Sequence, residues 1–238
     1  MLNGTVAQNI GGTSITGFYD LTLNNNSGAS ILSNSVNLIG TLNLNNGTFN
    51  TNGKVFTMIS NITGTARIAQ ITGTGNITGN VTVQRFSPGG TTGWTLIGAP
   101  ISTPLTYSDW DDNLYISCSS CPDGSAAGFI SIYTYDETAV GTYSSASSYV
   151  AMAGISDPIQ STKGYWFYFG SGWGTSSDLV FDVTGNVNKL NVPINLSLTN
   201  TGFPMEDGWN LISNPYPSAI SWAALKGTTT NLDDAIYA

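Results

Sequence analysis

The sequence predicts an all-β chain: a short parallel β-solenoid over residues 1–84, then an antiparallel β-sandwich or jelly roll over residues 85–238. Three observations predict it. The first third repeats itself weakly at about twenty residues, the length of one solenoid coil. The remainder carries seven short apolar runs separated by acidic or Pro/Gly turns. No segment sustains a helical period, apart from one possible turn at Ser221–Lys226.

In the first third, Leu21-Thr-Leu-Asn-Asn25 matches Leu42-Asn-Leu-Asn-Asn46 at an offset of 21 residues, and Asn61-Ile-Thr-Gly64 returns as Asn76-Ile-Thr-Gly79. Leu32, Val36, Leu38, Val55 and Phe56 lie between, with corners such as Asn45-Asn-Gly47 and Asn52-Gly53. In a solenoid, apolar side chains stack inward on their counterparts and corner asparagines form a ladder along the axis. The competing fold is an antiparallel meander with Asn-Gly hairpins; the near-fixed period favours the solenoid. Its ends need caps, and the second region is a candidate for one of them.

Charge marks the boundary. Residues 1–90 carry three cations and one acid, a net +2, whereas residues 91–238 carry three cations and thirteen acids, a net −10. The texture changes at the same place, near Arg85–Gly93. Charged residues make up only 8% of the chain, yet 40% hydrophobic and 11% aromatic residues are too many for disorder. Polarity comes from Asn, Thr, Ser and Gly, which suit strands and turns. A net charge of −8 with no basic cluster argues against nucleic acid or an anionic membrane as partner.

From residue 85 onward the expected strands are Trp94–Gly98, Phe129–Tyr135, Tyr149–Ala153, Gly164–Phe169, Leu179–Val183, Val187–Val192 and Trp209–Ser213. The first and last share a phrase: Gly93-Trp-Thr-Leu-Ile-Gly-Ala-Pro100 recurs as Gly208-Trp-Asn-Leu-Ile-Ser-Asn-Pro215. Each copy ends at a proline that cannot donate to a ladder. The expectation is two related core strands, with Trp94 and Trp209 buried. Gly164-Tyr-Trp-Phe-Tyr-Phe-Gly170 is aromatic on both faces, which predicts a strand buried between two layers.

Val81-Thr-Val-Gln-Arg-Phe86, the two Gly-Trp phrases, Tyr216-Pro217 and Trp222 together resemble a module of large secreted and cell-surface proteins of Bacteroidota, many of them substrates of the type IX secretion system. The resemblance covers most of residues 15–238. It implies solenoid-like repeats followed by a sandwich, an extracellular or cell-surface location and a separate sorting domain, which is not visible here. It transfers no catalytic residue.

Catalysis finds few candidates. The chain has no histidine, which removes Ser-His-Asp and Cys-His nucleophiles and His-ligated zinc. A glycosidase-like carboxylate pair would have to come from aspartates or from Glu137 and Glu206, the two glutamates. The expectation is a protein that is not an enzyme. Ser108-Asp-Trp-Asp-Asp-Asn113 spaces oxygen donors as calcium loops do, so Asp109, Asp111 and Asn113, completed by Asp112 or Asp123, are candidate ligands, and calcium the one candidate cofactor. The glycine and distal glutamate of an EF-hand are missing, and an exposed acidic loop accounts for the same residues. Cys118 and Cys121 are expected to form a local disulfide, compatible with an oxidising compartment. Trp110, Tyr115 and Trp173, with Tyr165, are candidate sugar-stacking residues.

Several Asn-x-Ser/Thr sequons arise by chance in so Asn-rich a chain, and no regular Thr ladder suggests an ice-binding face. No run of about 18 apolar residues spans a membrane, and no signal peptide is visible. Leu232-Asp-Asp-Ala-Ile-Tyr-Ala238 reads as the start of a further strand, so a piece of a longer polypeptide is expected. The expected function is a structural or adhesive segment of a secreted or surface protein, with surface proteins, secretion machinery or polysaccharide as partners. The alternative is a carbohydrate-binding module of a polysaccharide-degrading protein.

Overall fold

Short strands with alternating buried and more exposed positions, recurring every 20 or 21 residues in the first coils, wind the first third into a three-faced parallel solenoid. The computed structural model describes residues 1–90, 92–118, 120–121, 128–139, 148–170, 177–204, 207–229, 231–233 and 236. About four coils stack. One face holds β1 (Gln8–Ile10), β4 (Ala29–Ile31), β7 (Thr48–Asn50) and β12 (Asn76–Thr78). A second holds β2 (Thr16–Phe18), β5 (Val36–Leu38), β8 (Phe56–Met58) and β13 (Val81–Ser87). The third holds β3 (Leu21–Asn24), β6 (Thr41–Asn46) and β11 (Arg67–Ile68).

Register follows the sequence repeat. Leu21 pairs with Leu42 and Leu23 with Leu44, and all four are buried. Val36 pairs with Phe56, whose ring lies 5.2 Å from that of Phe49 in the interior. The Asn61-Ile-Thr-Gly64 repeat has another outcome. Its first copy forms a hairpin of β9 (Ser60–Asn61) and β10 (Gly64–Thr65) with Ile62 exposed, whereas its second is β12 with Ile77 buried. The hairpin lengthens the third coil: Thr57 pairs with Thr82, 25 residues on.

The corners carry the expected ladder. Asn46 Nδ2 donates to Asn24 Oδ1 at 2.7 Å, and Thr74 Oγ1 donates to Asn46 Oδ1 at 3.0 Å. Inside the same corner, Asn25 is 2% exposed; its Nδ2 donates to the carbonyls of Val6 and Gly28, and its Oδ1 accepts from Ser27 N. Leucine keeps the branched outline but is bulkier and strands these buried groups. Asn25→Leu is therefore expected to cost about 2–3 kcal/mol in urea unfolding.

The second region meets the C-terminal end of the solenoid on all three faces, through a full strand on one and through hydrogen bonds on the other two. β20 (Leu179–Gly185) runs antiparallel to β13 over seven pairs, from Val81↔Gly185 to Ser87↔Leu179. On the first face, Lys189 Nζ donates to Asn76 Oδ1 at 2.8 Å and to the Ile77 carbonyl at 2.7 Å. On the third, Ile68 N donates to the Pro217 carbonyl at 3.0 Å. The edge of β13, which would otherwise template a further strand, is thereby paired along its length, and one backbone edge group is satisfied on each of the other two faces. The boundary expected at 84/85 thus falls inside β13, a strand the two regions share.

Beyond it, β14 (Gly93–Ile97), β19 (Tyr165–Phe169), β16 (Ile132–Tyr135) and β17 (Tyr149–Ala151) form an antiparallel sheet in that order. β15 (Leu105–Thr106) pairs with β18 (Pro158–Ile159), and a short helix α1 (Ser108–Asp111) packs against β20. The inner face of the four-stranded sheet presents Ile97, Ile132, Tyr165, Phe167 and Phe169 to Trp110 and Phe181, and this core is continuous with that of the solenoid. The strands expected at Val187–Val192 and Trp209–Ser213 reduce to single bridges, Ile101↔Val187 and Lys163↔Ile212. Lys189 turns to the solenoid and Leu190 takes φ 59, which breaks the first run; Pro215 follows the second.

Candidate functional site

The duplicated phrase builds two different things. The first copy is β14, antiparallel to β19 with Trp94 opposite Tyr168 and Ile97 opposite Tyr165. The second copy runs past the entry to β19: Gly164 N donates to the Leu211 carbonyl and Ser213 N to the Thr162 carbonyl. The copies touch at equivalent positions, because a Cβ on Gly98 would lie 2.7 Å from Ser213 Cβ. Each copy is followed by a short helix bearing a tryptophan: Trp110 in α1, and Trp222 in α2 (Trp222–Lys226), capped by Ser221 Oγ accepting from Ala224 N. The single turn expected at Ser221–Lys226 is this helix.

Trp94 is not a core residue. Alternation along β14 puts Ile97 inside and Trp94 and Leu96 outside, with Trp94 43% exposed. Its ring is set among those of Tyr168, Tyr133 and Phe129, at centroid distances of 5.3, 5.5 and 6.0 Å. Trp209, expected in the core, is half-buried. The aromatic strand β19 is buried on one face only; Trp166 and Tyr168 on its outer face are half-exposed. The sequence signal for this was present in Trp94-Thr-Leu-Ile97, where apolar residues occupy both alternating faces.

Two of the stacking candidates are corrected by burial. Trp110 is 1% exposed, wedged against Tyr107 and Tyr165, and Tyr165 is itself 1% exposed with its hydroxyl accepting from Gln160 N. Neither ring can meet a ligand. Tyr115 is half-buried and lines a small cleft with Asn113, Tyr168 and Asp178. Trp173 lies outside the described residues. On the solenoid, a wide open depression is lined by Asn26, Ser27, Ser30, Thr48, Asn50 and Thr74 and holds no aromatic ring.

The acidic turn is organised by hydrogen bonds. Asp109 Oδ2 accepts from Thr106 N at 2.7 Å, and Asn113 Oδ1 accepts from Asp182 N at 3.0 Å, tying the α1 turn to β20. Asp109 and Asp111, two apart on a helical turn, leave from different sides of it. Burial, and then the Asp109 carboxylate, push the Asp112 carboxyl up; burial, and then Asp112, do the same to Asp182. Among the described residues no three of His, Cys, Asp and Glu gather as a metal-binding group. Asp123 lies outside them. Cys118 and Cys121 are joined in a buried disulfide.

Glu137 is a tether. It is 8% exposed, and its carboxylate accepts from Ser197 Oγ at 2.7 Å, Thr199 Oγ1 at 2.9 Å and Thr199 N. Burial alone would push this carboxyl up, but donations from Ser197, Thr199 and Gly208 outweigh it and hold it below the usual range. A depressed carboxyl contributes stability above the unfolded pKa of about 4.3 and loses it as pH falls through the lower folded value. Glu137→Gln is expected to lower stability by about 1.5–3 kcal/mol at pH 7. The gap from wild type in urea midpoints should narrow below pH 4.3. A gap unchanged down to pH 2 would refute the tether. Glu206, its expected partner in a carboxylate pair, lies outside the described residues.

No helix among the described residues is long and apolar enough to cross a membrane. No protein-family model, curated protein or solved structure matches the chain.

Proposed function

We propose that this chain is a non-catalytic structural or adhesive segment of a secreted or cell-surface protein, of the type IX secretion kind that its Gly-Trp phrases resemble. The observation that carries the reading is the joining of the second region to the end of the solenoid on all three faces, with a partly exposed aromatic sheet face. Such an arrangement suits holding a contact surface away from an anchor. Surface proteins, secretion machinery and polysaccharide are the partner classes. Beads coated with the purified chain should adhere to bacterial cells or polysaccharide films; retention no greater than that of albumin-coated beads would refute the role.

The second reading, a carbohydrate-binding module, is favoured by Trp94 and its ring neighbours on an open face. Calcium is proposed only as a diffuse counter-ion to the net −10 of residues 91–238. Millimolar calcium should raise the melting temperature by a few degrees, and EDTA should reverse it. No shift with either would remove calcium from the account.

A further inference from the structure

The outer face of the β14–β19–β16–β17 sheet repeats one chemistry at almost every outward position. Cross-strand register places Trp94 beside Tyr168, Leu96 beside Trp166, Trp166 beside Tyr133, Tyr133 beside Ala151 and Tyr135 beside Tyr149. Six of these eight residues are aromatic and none is charged. They run obliquely across four strands, a width of about 14 Å at the usual strand spacing. The stripe is most exposed at Trp94, 43%, and Leu96, 38%.

We propose that this stripe binds a neutral glycan chain, with Trp94 as its central stacking residue and Tyr168 and Tyr133 holding the indole in place. The proposal rests on the carbohydrate-binding reading and gives it a site and a ligand class. A pyranose ring offers an apolar C–H face and a rim of hydroxyls; Trp and Tyr offer a flat apolar ring with a polar handle, so each part of the sugar meets a matching group. The indole is fixed in advance by Phe129, Tyr133 and Tyr168, which lowers the ordering cost of binding.

Charge selects among occupants. Residues 91–238 carry a net −10 and the stripe has no cation, so uronate- or sulfate-bearing chains are repelled at long range and find no ion pair on contact. Protein interfaces usually add arginine to their aromatic anchors, and the stripe has none.

The test is titration of the whole chain with cellohexaose, xylohexaose and maltohexaose, and with hexagalacturonate as the acidic probe, followed by tryptophan fluorescence and calorimetry. At least one neutral hexasaccharide should bind, with affinity lost by about tenfold or more in Trp94→Ala. Hexagalacturonate should not bind. Trp94→Phe, which keeps a ring and guards against misfolding of the alanine variant, should bind more weakly than wild type; matching melting temperatures and far-UV circular dichroism establish that each variant is folded. Neutral binding unchanged in both variants would overturn the site while leaving the carbohydrate-binding reading intact. Absence of binding to every neutral probe would overturn both. Preference for hexagalacturonate would overturn the assignment of a neutral ligand.

Discussion

Replacing Gly47 by valine is expected to unfold the solenoid or to destabilise it by about 3 kcal/mol or more. Gly47 sits at the corner between β6 and β7 with φ 82, a region that β-branched residues avoid. Space is lacking as well. A Cβ there collides with the carbonyl oxygen of Asn25 in the coil below and lies 2.9 Å from its carbon, and main chain cannot rotate aside as a side chain would. The corner below is the one that Asn25 fills, so the strain falls on its buried hydrogen bonds. Urea unfolding followed by circular dichroism measures the loss; a cost under about 1 kcal/mol would mean that the coils are not stacked in this register.

Val183→Asp is the second change with a large expected effect. Val183 is 4% exposed, lies opposite Val83 in the β13–β20 ladder, and belongs to the core that runs from the solenoid into the second region. An aspartate there must be buried without a partner or must pull β20 away. Either outcome costs about 3–5 kcal/mol. Because β20 closes one solenoid face, the damage should reach both regions, seen as early amide exchange in Val81–Ser87 as well as in Leu179–Gly185. Val183→Ala, which only leaves a cavity, should cost less.

Much of the architecture was legible because the relevant interactions repeat. The 21-residue offset of Leu21 and Leu42 is the coil length, and the alternating runs at Trp94, Gly164 and Leu179 are strands. Where context outweighs pattern, the sequence misleads. Asn61-Ile-Thr-Gly64 and Asn76-Ile-Thr-Gly79 are identical tetrapeptides, yet one turns a hairpin and the other forms a rung, because only the second lies over β7. The two Gly-Trp phrases likewise diverge with their neighbours.

The candidate site was legible in composition and misplaced in position. Exposed aromatics were expected, but alternation alone cannot tell which face of an all-apolar strand is covered. Trp94 therefore moved from core to surface, whereas Trp110, flanked by aspartates in a run that reads as a loop, moved from surface to core because α1 turns it against Tyr107 and Tyr165. Glu137 gave no sequence signal as a tether, since its partners lie 60 and 62 residues away.

The shared β13–β20 ladder and the continuous core lead to the expectation that the solenoid and the second region unfold as one cooperative structure. All six tryptophans lie between residues 94 and 222, so indole fluorescence reports on the second region, whereas far-UV circular dichroism reports on both. The decisive measurement is thermal unfolding of wild type and Asn25→Leu by both signals. If the halves are one unit, a substitution deep in the solenoid should lower the fluorescence transition by the same number of degrees as the dichroism transition. A fluorescence transition that stays at the wild-type temperature would contradict the account.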